Sequence, residues 1–91
     1  MDKSGIVFRN FRSFSVKSTN PIAVNAYEII TLDLSSYNYT KSPHAFISST
    51  FLCSVTISNT SATSVTVTLY NLYGSSQQCS CVIYLFELNS V

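Results

Sequence analysis

The part of the sequence that decides the fold holds three alternating segments: FLCSVTIS (51–58), SVTVTLY (64–70) and QQCSCVIYLFEL (77–88). In the first two, apolar side chains alternate with Ser and Thr, and a period of two is typical of a strand with one buried face. The β-branched residues favour the same structure. Polar runs at 59–62 and 71–76 separate the segments and have the length of ordinary hairpin turns. We therefore predict consecutive antiparallel strands.

The third segment differs because it is apolar on both faces. One face carries Cys79, Cys81, Ile83 and Leu85. The other carries Val82, Tyr84, Phe86 and Leu88. A strand that is apolar on both sides must be covered on both, whereas one side of each sheet in a small sandwich normally faces water. The cover is either the N-terminal segment or another subunit. We favour a subunit, since a small domain gains stability by association, and predict that the second face is an oligomer interface.

The signals outside this stretch are shorter. Residues 27–34 alternate well, residues 44–47 follow Pro43 as a short strand, and residues 11–17 form a weaker strand. No stretch keeps helical apolar spacing for a dozen residues. We predict an N-terminal arm or first strand over 1–20 and a single all-β domain over 21–91, a small antiparallel β-sandwich of six to seven strands.

Composition excludes several classes of function. The 91 residues suffice for one domain, and 46% apolar with 10% charged residues is far from a disordered composition. A net charge of +1 is too small for nucleic-acid binding. Most of the basic residues lie within the first seventeen, in what we interpret as a solvated arm; contact with phosphate or an acidic glycan is the alternative. No apolar run is long enough to insert into a membrane, and the first nine residues lack the apolar core of a signal peptide.

The three cysteines, Cys53, Cys79 and Cys81, are an odd number. Cys79 and Cys81 point to the same face of one strand and bridge poorly to each other. Cys53 could meet one of them if their strands are neighbours. We expect three small buried thiols. The lone His44 does not complete a recognisable zinc site, so we predict no metal and no cofactor.

The sequence predicts binding rather than catalysis. Glu28 and Asp33 face opposite sides of one strand and cannot act as a paired acid and base there. Aromatic rings with neighbouring amides and hydroxyls are typical of sugar sites, and two loops offer them. The candidate ligand-binding residues are Tyr37, Asn38, Tyr39 and His44 around the first loop, and Asn71 and Tyr73 around the second. The alternative is that these tyrosines pack the ends of the sandwich.

Part of the chain, about 39–88, resembles a known family. It is similar to the trimeric domain at the tips of bacteriophage tail fibres and baseplate receptor-binding proteins, whose architecture is that of H-type lectins. The residues that carry the resemblance are Tyr39 before Pro43, the turn Asn59-Thr60-Ser61, the strand from Thr63, Val65 and Thr66 to Tyr70 and Asn71, and the closing strand with Tyr84. The family's closing strand usually has a tryptophan and a small-residue ending; Tyr84 and Phe86-Glu87-Leu88 stand there in this sequence.

The resemblance implies a homotrimer in a phage tail, or an extracellular setting, that attaches to a host cell-surface glycan or protein. We therefore expect a non-enzymatic receptor-binding domain, with carbohydrate as the main ligand class. A capsid-decoration or tail-assembly domain without a ligand of its own is the structural alternative. A secreted lectin is a third possibility, which would require a disulfide at Cys53.

Overall fold

The computed structural model describes residues 6–90 and contains six strands. These are β1 (Ile6–Lys17), β2 (Tyr27–Asp33), β3 (His44–Phe51), β4 (Ser54–Ser58), β5 (Ser64–Tyr70) and β6 (Ser80–Ser90), with a short 3-10 turn at Ser35–Tyr37. They form two antiparallel three-stranded sheets. The first sheet has the order β1-β6-β3 and the second β2-β5-β4. The expectation of an all-β chain is confirmed.

The alternating pattern of β5 explains why it is the centre of the second sheet. Its inward residues Val65, Val67 and Leu69 are fully buried. Partly buried apolar residues of β2 and β4 flank them, with Ile30 and Ile57 both in register with Val67. The outward Thr and Ser side chains face solvent or are half-buried, so this sheet has the one-sided burial that the sequence predicts.

β6 is the centre of the first sheet, between β1 and β3. Its inward residues Cys81, Ile83 and Leu85 join the buried residues of β5 in one hydrophobic core, with Cys79 just ahead of the strand. The inner face predicted for this segment is therefore confirmed. The strand begins at Ser80 rather than Gln77, because Gln77 pairs with Ile22 in an isolated bridge instead.

The boundary predicted near residue 51 is wrong. Phe51 does not continue into the strand of Val55 but ends β3, which runs from His44 well past Ile47. The reason is Leu52, whose φ of 63° breaks the extended backbone and carries the chain from the first sheet to the second. Phe51 is consequently 60% exposed rather than on the buried face.

Residues 6–17 form an edge strand rather than an unpaired arm. β1 pairs with β6 along its length, with a register shift between Arg9 and Arg12 where Asn10 adopts a φ of 54°. The basic side chains of Arg9, Arg12 and Lys17 therefore lie on a strand, whereas Lys3 lies outside the described residues.

The molecule is elongated, with extents of 56 × 25 × 16 Å and a radius of gyration of 15.3 Å. A compact chain of this length has a radius of gyration of about 12 Å. β3 is the most open part of it, since nearly every residue of the strand is exposed. Within residues 6–90 no helix has the length and apolar character needed to cross a membrane.

Candidate binding and assembly surfaces

Two of the predicted ligand residues are internal. Tyr39 is only 7% exposed, and its hydroxyl donates to the backbone carbonyl of Asn10 at 2.9 Å. Burial raises the pKa of the Tyr39 hydroxyl. The ring and the hydroxyl of Tyr39 therefore hold the loop after the 3-10 turn against β1. This agrees with the alternative interpretation, in which the loop tyrosines pack the end of the sandwich.

Asn71 is fully buried, and its amide holds two loops together. Its Nδ2 donates to the carbonyls of Ile22 at 2.7 Å and Ser75 at 2.9 Å, and its Oδ1 accepts from the amide of Tyr73 at 2.8 Å. Its backbone pairs with the segment before β2 as well. Because Asn71 is fully buried and both Nδ2 hydrogens are donated within the chain, the side chain cannot contact an external ligand and instead shapes the loop that presents Tyr73.

Tyr37 and Asn38 lie at the end of the 3-10 turn. The Tyr37 ring is half-buried, edge-on to Phe14 at 5.3 Å, with the Arg12 guanidinium carbon 4.7 Å from its centre. Asn38 is exposed and adopts a left-handed φ of 61°, a conformation that asparagine tolerates. Of the three predicted ligand residues in this loop, Tyr37, Asn38 and Tyr39, Asn38 is the exposed one.

The two predicted loops are too far apart to form one site. Tyr27 pairs with Tyr70 at one end of β2, while Asp33 pairs with Ser64 at the other. The loop of Asn71 and Tyr73 follows the first end, and the 3-10 turn follows the second. Six residues of strand separate these ends, about 20 Å.

Two exposed tyrosines pair on the outer side of the second sheet. Tyr27 and Tyr70 are cross-strand neighbours with nearly parallel rings, 6.3 Å between centroids and 7° between planes. Tyr27 is 59% exposed, and the exposed Tyr73 lies in the turn that follows β5. We call Tyr27, Tyr70 and Tyr73 the tyrosine surface. Sequence reasoning missed Tyr27 as a candidate, although its place on the solvent side of β2 could have been paired with the end of β5.

The hydroxyl groups around this surface come from the outward side of the same sheet. Register places Thr68 of β5 beside Thr56 of β4 and Ile29 of β2. The next outward row contains Thr31, Thr66 and Ser58. The outer side of the second sheet is thus rich in hydroxyls, with the tyrosines at one end.

The outer side of the first sheet carries an aromatic cluster. Phe11 lies 5.2 Å from Tyr84 and 5.9 Å from Phe86, and Phe46 lies 5.1 and 5.8 Å from the same two rings. His44, predicted as a ligand residue, stacks on Phe86 at 5.6 Å. We call Phe11, His44, Phe46, Tyr84 and Phe86 the aromatic face.

The aromatic face contains part of the predicted interface. Val82, Tyr84, Phe86 and Leu88 are half-buried rather than exposed, because rings from both flanking strands lean over β6. The rings that cover β6 are themselves exposed to solvent: Phe11 is 54% and Phe46 43% exposed. The apolar surface therefore persists, but on the two edge strands.

A groove of about 450 Å³ lies on the same outer side of the first sheet, next to the aromatic face, and Val82 is part of its lining. Its lining comes from β1, β3 and β6 and is more polar than the aromatic face, with serines on all three strands and Lys17 at one side. Phe51 forms its aromatic wall.

Glu87 is the buried acid of the described chain. Its carboxylate accepts from the amide and the hydroxyl of Thr40, each at 2.8 Å. These hydrogen bonds lower the pKa of Glu87. Residues 6–90 contain no group of three or more potential metal ligands placed to hold an ion.

Comparisons of the chain with protein-family models, curated proteins and solved structures find no match.

Proposed function

We propose that this chain is a receptor-binding domain that assembles as a homotrimer and binds a host cell-surface carbohydrate through the tyrosine surface. The observation that carries the proposal is the difference between the outer side of the first sheet and the outer side of the second sheet. One side is aromatic and suited to a protein contact, and the other is hydroxyl-rich with exposed tyrosines at its end. A phage tail or another extracellular assembly is the setting proposed, in line with the resemblance of residues 39–88.

The aromatic face supports assembly. Exposed phenylalanines clustered on one sheet mark an interaction site, because soluble monomers rarely expose contiguous apolar patches. Phe11 and Phe46 stand on the two edge strands, so a partner seated there would also cover Tyr84 and Phe86 beneath them. The open strand β3 and the elongated shape agree with a chain that completes its packing in a multimer.

The tyrosine surface supports carbohydrate binding. Aromatic rings offer apolar faces to sugar C–H groups, and tyrosine does so with a polar end and little loss of side-chain entropy. Tyr27 and Tyr70 already hold each other in a parallel arrangement. Asn71 fixes the turn of Tyr73 from inside. The site is therefore ordered before a ligand arrives, which reduces the entropic cost of binding.

A capsid-decoration or tail-assembly domain is the second candidate function. The internal use of Tyr39 and Asn71 favours it, because two residues proposed for ligand contact are structural instead. The aromatic face serves this function equally well.

A glycan array tests the ligand half of the proposal. We expect the wild-type protein to bind one group of glycans, and Tyr27→Ala and Tyr73→Ala each to weaken that binding at least tenfold. Phe51→Ala is the matched control, since it removes an exposed aromatic ring from the first sheet, outside the tyrosine surface. Undiminished binding by both tyrosine variants would exclude the tyrosine surface, and no binding to any glycan would favour the assembly function.

Light scattering tests the trimer. We expect a mass three times that of the 10.1 kDa chain, and Phe46→Asp should shift it to the monomer. Leu72→Asp is the control, because Leu72 is also exposed but follows β5 of the second sheet. A monomeric wild-type protein would contradict the assembly proposal while leaving the array result to decide the ligand.

A further inference from the structure

The three thiols lie close together where the chain crosses between the sheets. Cys79 and Cys81 are buried at the start of β6, and Cys53 is half-buried just ahead of β4. The Cys53 thiol donates to the carbonyl of Ser80 at 3.4 Å, and the Cys79 thiol donates to the carbonyl of Leu52 at 3.4 Å. Each thiol thus contacts the residue next to the other cysteine, which places Cys53 and Cys79 side by side.

Backbone geometry explains why Cys53 turns toward Cys79. Phe51 pairs with Ser80 at the end of β3, which places the next residues along the two strands, Leu52 and Cys79, side by side. In a continuous strand Cys53 would follow the usual alternation. The left-handed φ of Leu52 interrupts it instead, and Cys53 lies against the start of β6.

We propose that Cys53 and Cys79 form an intramolecular disulfide when the protein meets a small-molecule disulfide such as oxidised glutathione. The thiolate of the more accessible Cys53 attacks one glutathione sulfur, and a glutathione thiolate leaves. The Cys79 thiolate then attacks the Cys53 sulfur of the mixed disulfide and releases the second glutathione. The two cysteines lose two electrons and two protons, and one oxidised glutathione becomes two reduced ones.

Cys81 is the thiol left out of the bond. It lies opposite Thr50 of β3, two residues further along β6 than Cys79, and makes no hydrogen bond to Cys53 among the described contacts. Burial raises the pKa of both buried thiols, that of Cys81 to about 11, so the contacts with Leu52 and Ser80, rather than acidity, single out Cys79 as the partner of Cys53.

The cross-link would tie the crossing between β3 and β4 to the beginning of β6. It would close a loop that contains β4 and β5, so the unfolded chain would lose conformational freedom. Neither sulfur belongs to the tyrosine surface or the aromatic face, so the inference does not depend on the proposed ligand or on the trimer.

Mass spectrometry of the glutathione-treated protein tests the bond. We expect the folded wild-type chain to lose the mass of two hydrogens, with no glutathione retained. Tryptic mapping cannot assign the bonded pair, because the chain has no cleavage site after Lys41 and all three cysteines stay in one peptide. Only Ser80 separates Cys79 from Cys81, so cysteine variants are needed to tell these two apart. Cys53→Ser and Cys79→Ser keep a hydrogen-bond donor at each position and should abolish the loss. Cys81→Ala should retain it.

Thermal unfolding is the second measurement. We expect oxidation to raise the Tm of wild-type and Cys81→Ala by about 10 °C, and to leave both serine variants unchanged. Circular dichroism of each reduced variant confirms that it is folded before treatment. A bond that survives in Cys79→Ser, a link between two chains, or a wild-type protein that stays fully reduced would each overturn the proposal.

Discussion

At the residue scale, the same side-chain types serve opposite purposes in this molecule. Asn71 and Tyr39 are buried and hydrogen-bonded, while Asn38 and Tyr73 stand in solvent. Position in the chain does not distinguish them, because each pair comes from loops of similar polar composition. The buried residues differ from the exposed ones in their solvent accessibility and in the partners of their hydrogen bonds.

Asn71→Asp should destabilise the fold by about 1–3 kcal/mol, because a carboxylate oxygen would face the carbonyls of Ile22 and Ser75 that now accept from Nδ2. Urea unfolding measures the loss. Asn38→Asp makes the same chemical change at an exposed position and should leave the unfolding midpoint nearly unchanged. Equal effects at the two positions would contradict the structural role of Asn71.

At the element scale, β5 is the part of the second sheet on which the core depends. Leu69→Ala should cost about 2–5 kcal/mol, because it leaves a cavity at a fully buried position. Leu72→Ala, three residues later, removes the same atoms from a side chain that is 64% exposed and should cost little. Denaturant midpoints of the two variants check the difference. Similar midpoints would show that Leu69 does not belong to the packed core.

β6 is tied to the loop before β3 by a charged hydrogen bond that depends on pH. The pKa of Glu87 is lowered in the folded chain, so this contribution to stability is complete above its usual value near 4.5. It is lost as the pH falls through the lower, folded pKa. Ser35 lowers the pKa of Asp33 in the same direction. We therefore expect the urea midpoint to fall on acidification from about pH 6 to about pH 3.

Glu87→Gln separates this contribution from general acid effects. The variant should be less stable than the wild type at the higher pH and should lose less stability on acidification, since the amide does not titrate. Asp33→Asn should remove much of the remaining slope. A Glu87→Gln variant with the full wild-type pH dependence would show that other groups control acid unfolding.

At the scale of the whole molecule, the exposed aromatic face and the open β3 favour stability through association. The Tm of a trimer depends on protein concentration, because unfolding releases separate chains. A tenfold dilution should lower stability by about 1 kcal/mol per chain, or roughly 4–8 °C in Tm. Calorimetry at two concentrations measures this shift. A constant Tm would indicate a monomer, whereas a concentration-dependent Tm that Phe46→Asp retains would show that the interface lies outside the aromatic face.

Much of the fold was predictable because strand alternation is local. The inner faces of β5 and β6 follow from side chains two residues apart, and no distant contact is needed to assign them. The boundary at Leu52 was not predictable, since a bulky residue seldom adopts a positive φ and nothing in its neighbours announces it. Similarly, the aromatic residues of the last segment were evident, but Phe11 and Phe46 join them only through the register of three strands.

The sequence by itself determined an all-β chain, its central strands and the double apolar character of the last one, because these depend on periodicity within single segments. Only the tertiary structure decided which aromatic and amide side chains are exposed at the surface. It buried Tyr39 and Asn71, separated the two predicted loops along β2, and brought Tyr27 beside Tyr70. It also placed Cys53 beside Cys79, 26 positions away along the chain. Strand register sets these distances, and register is a property of pairs of segments that neither segment contains alone.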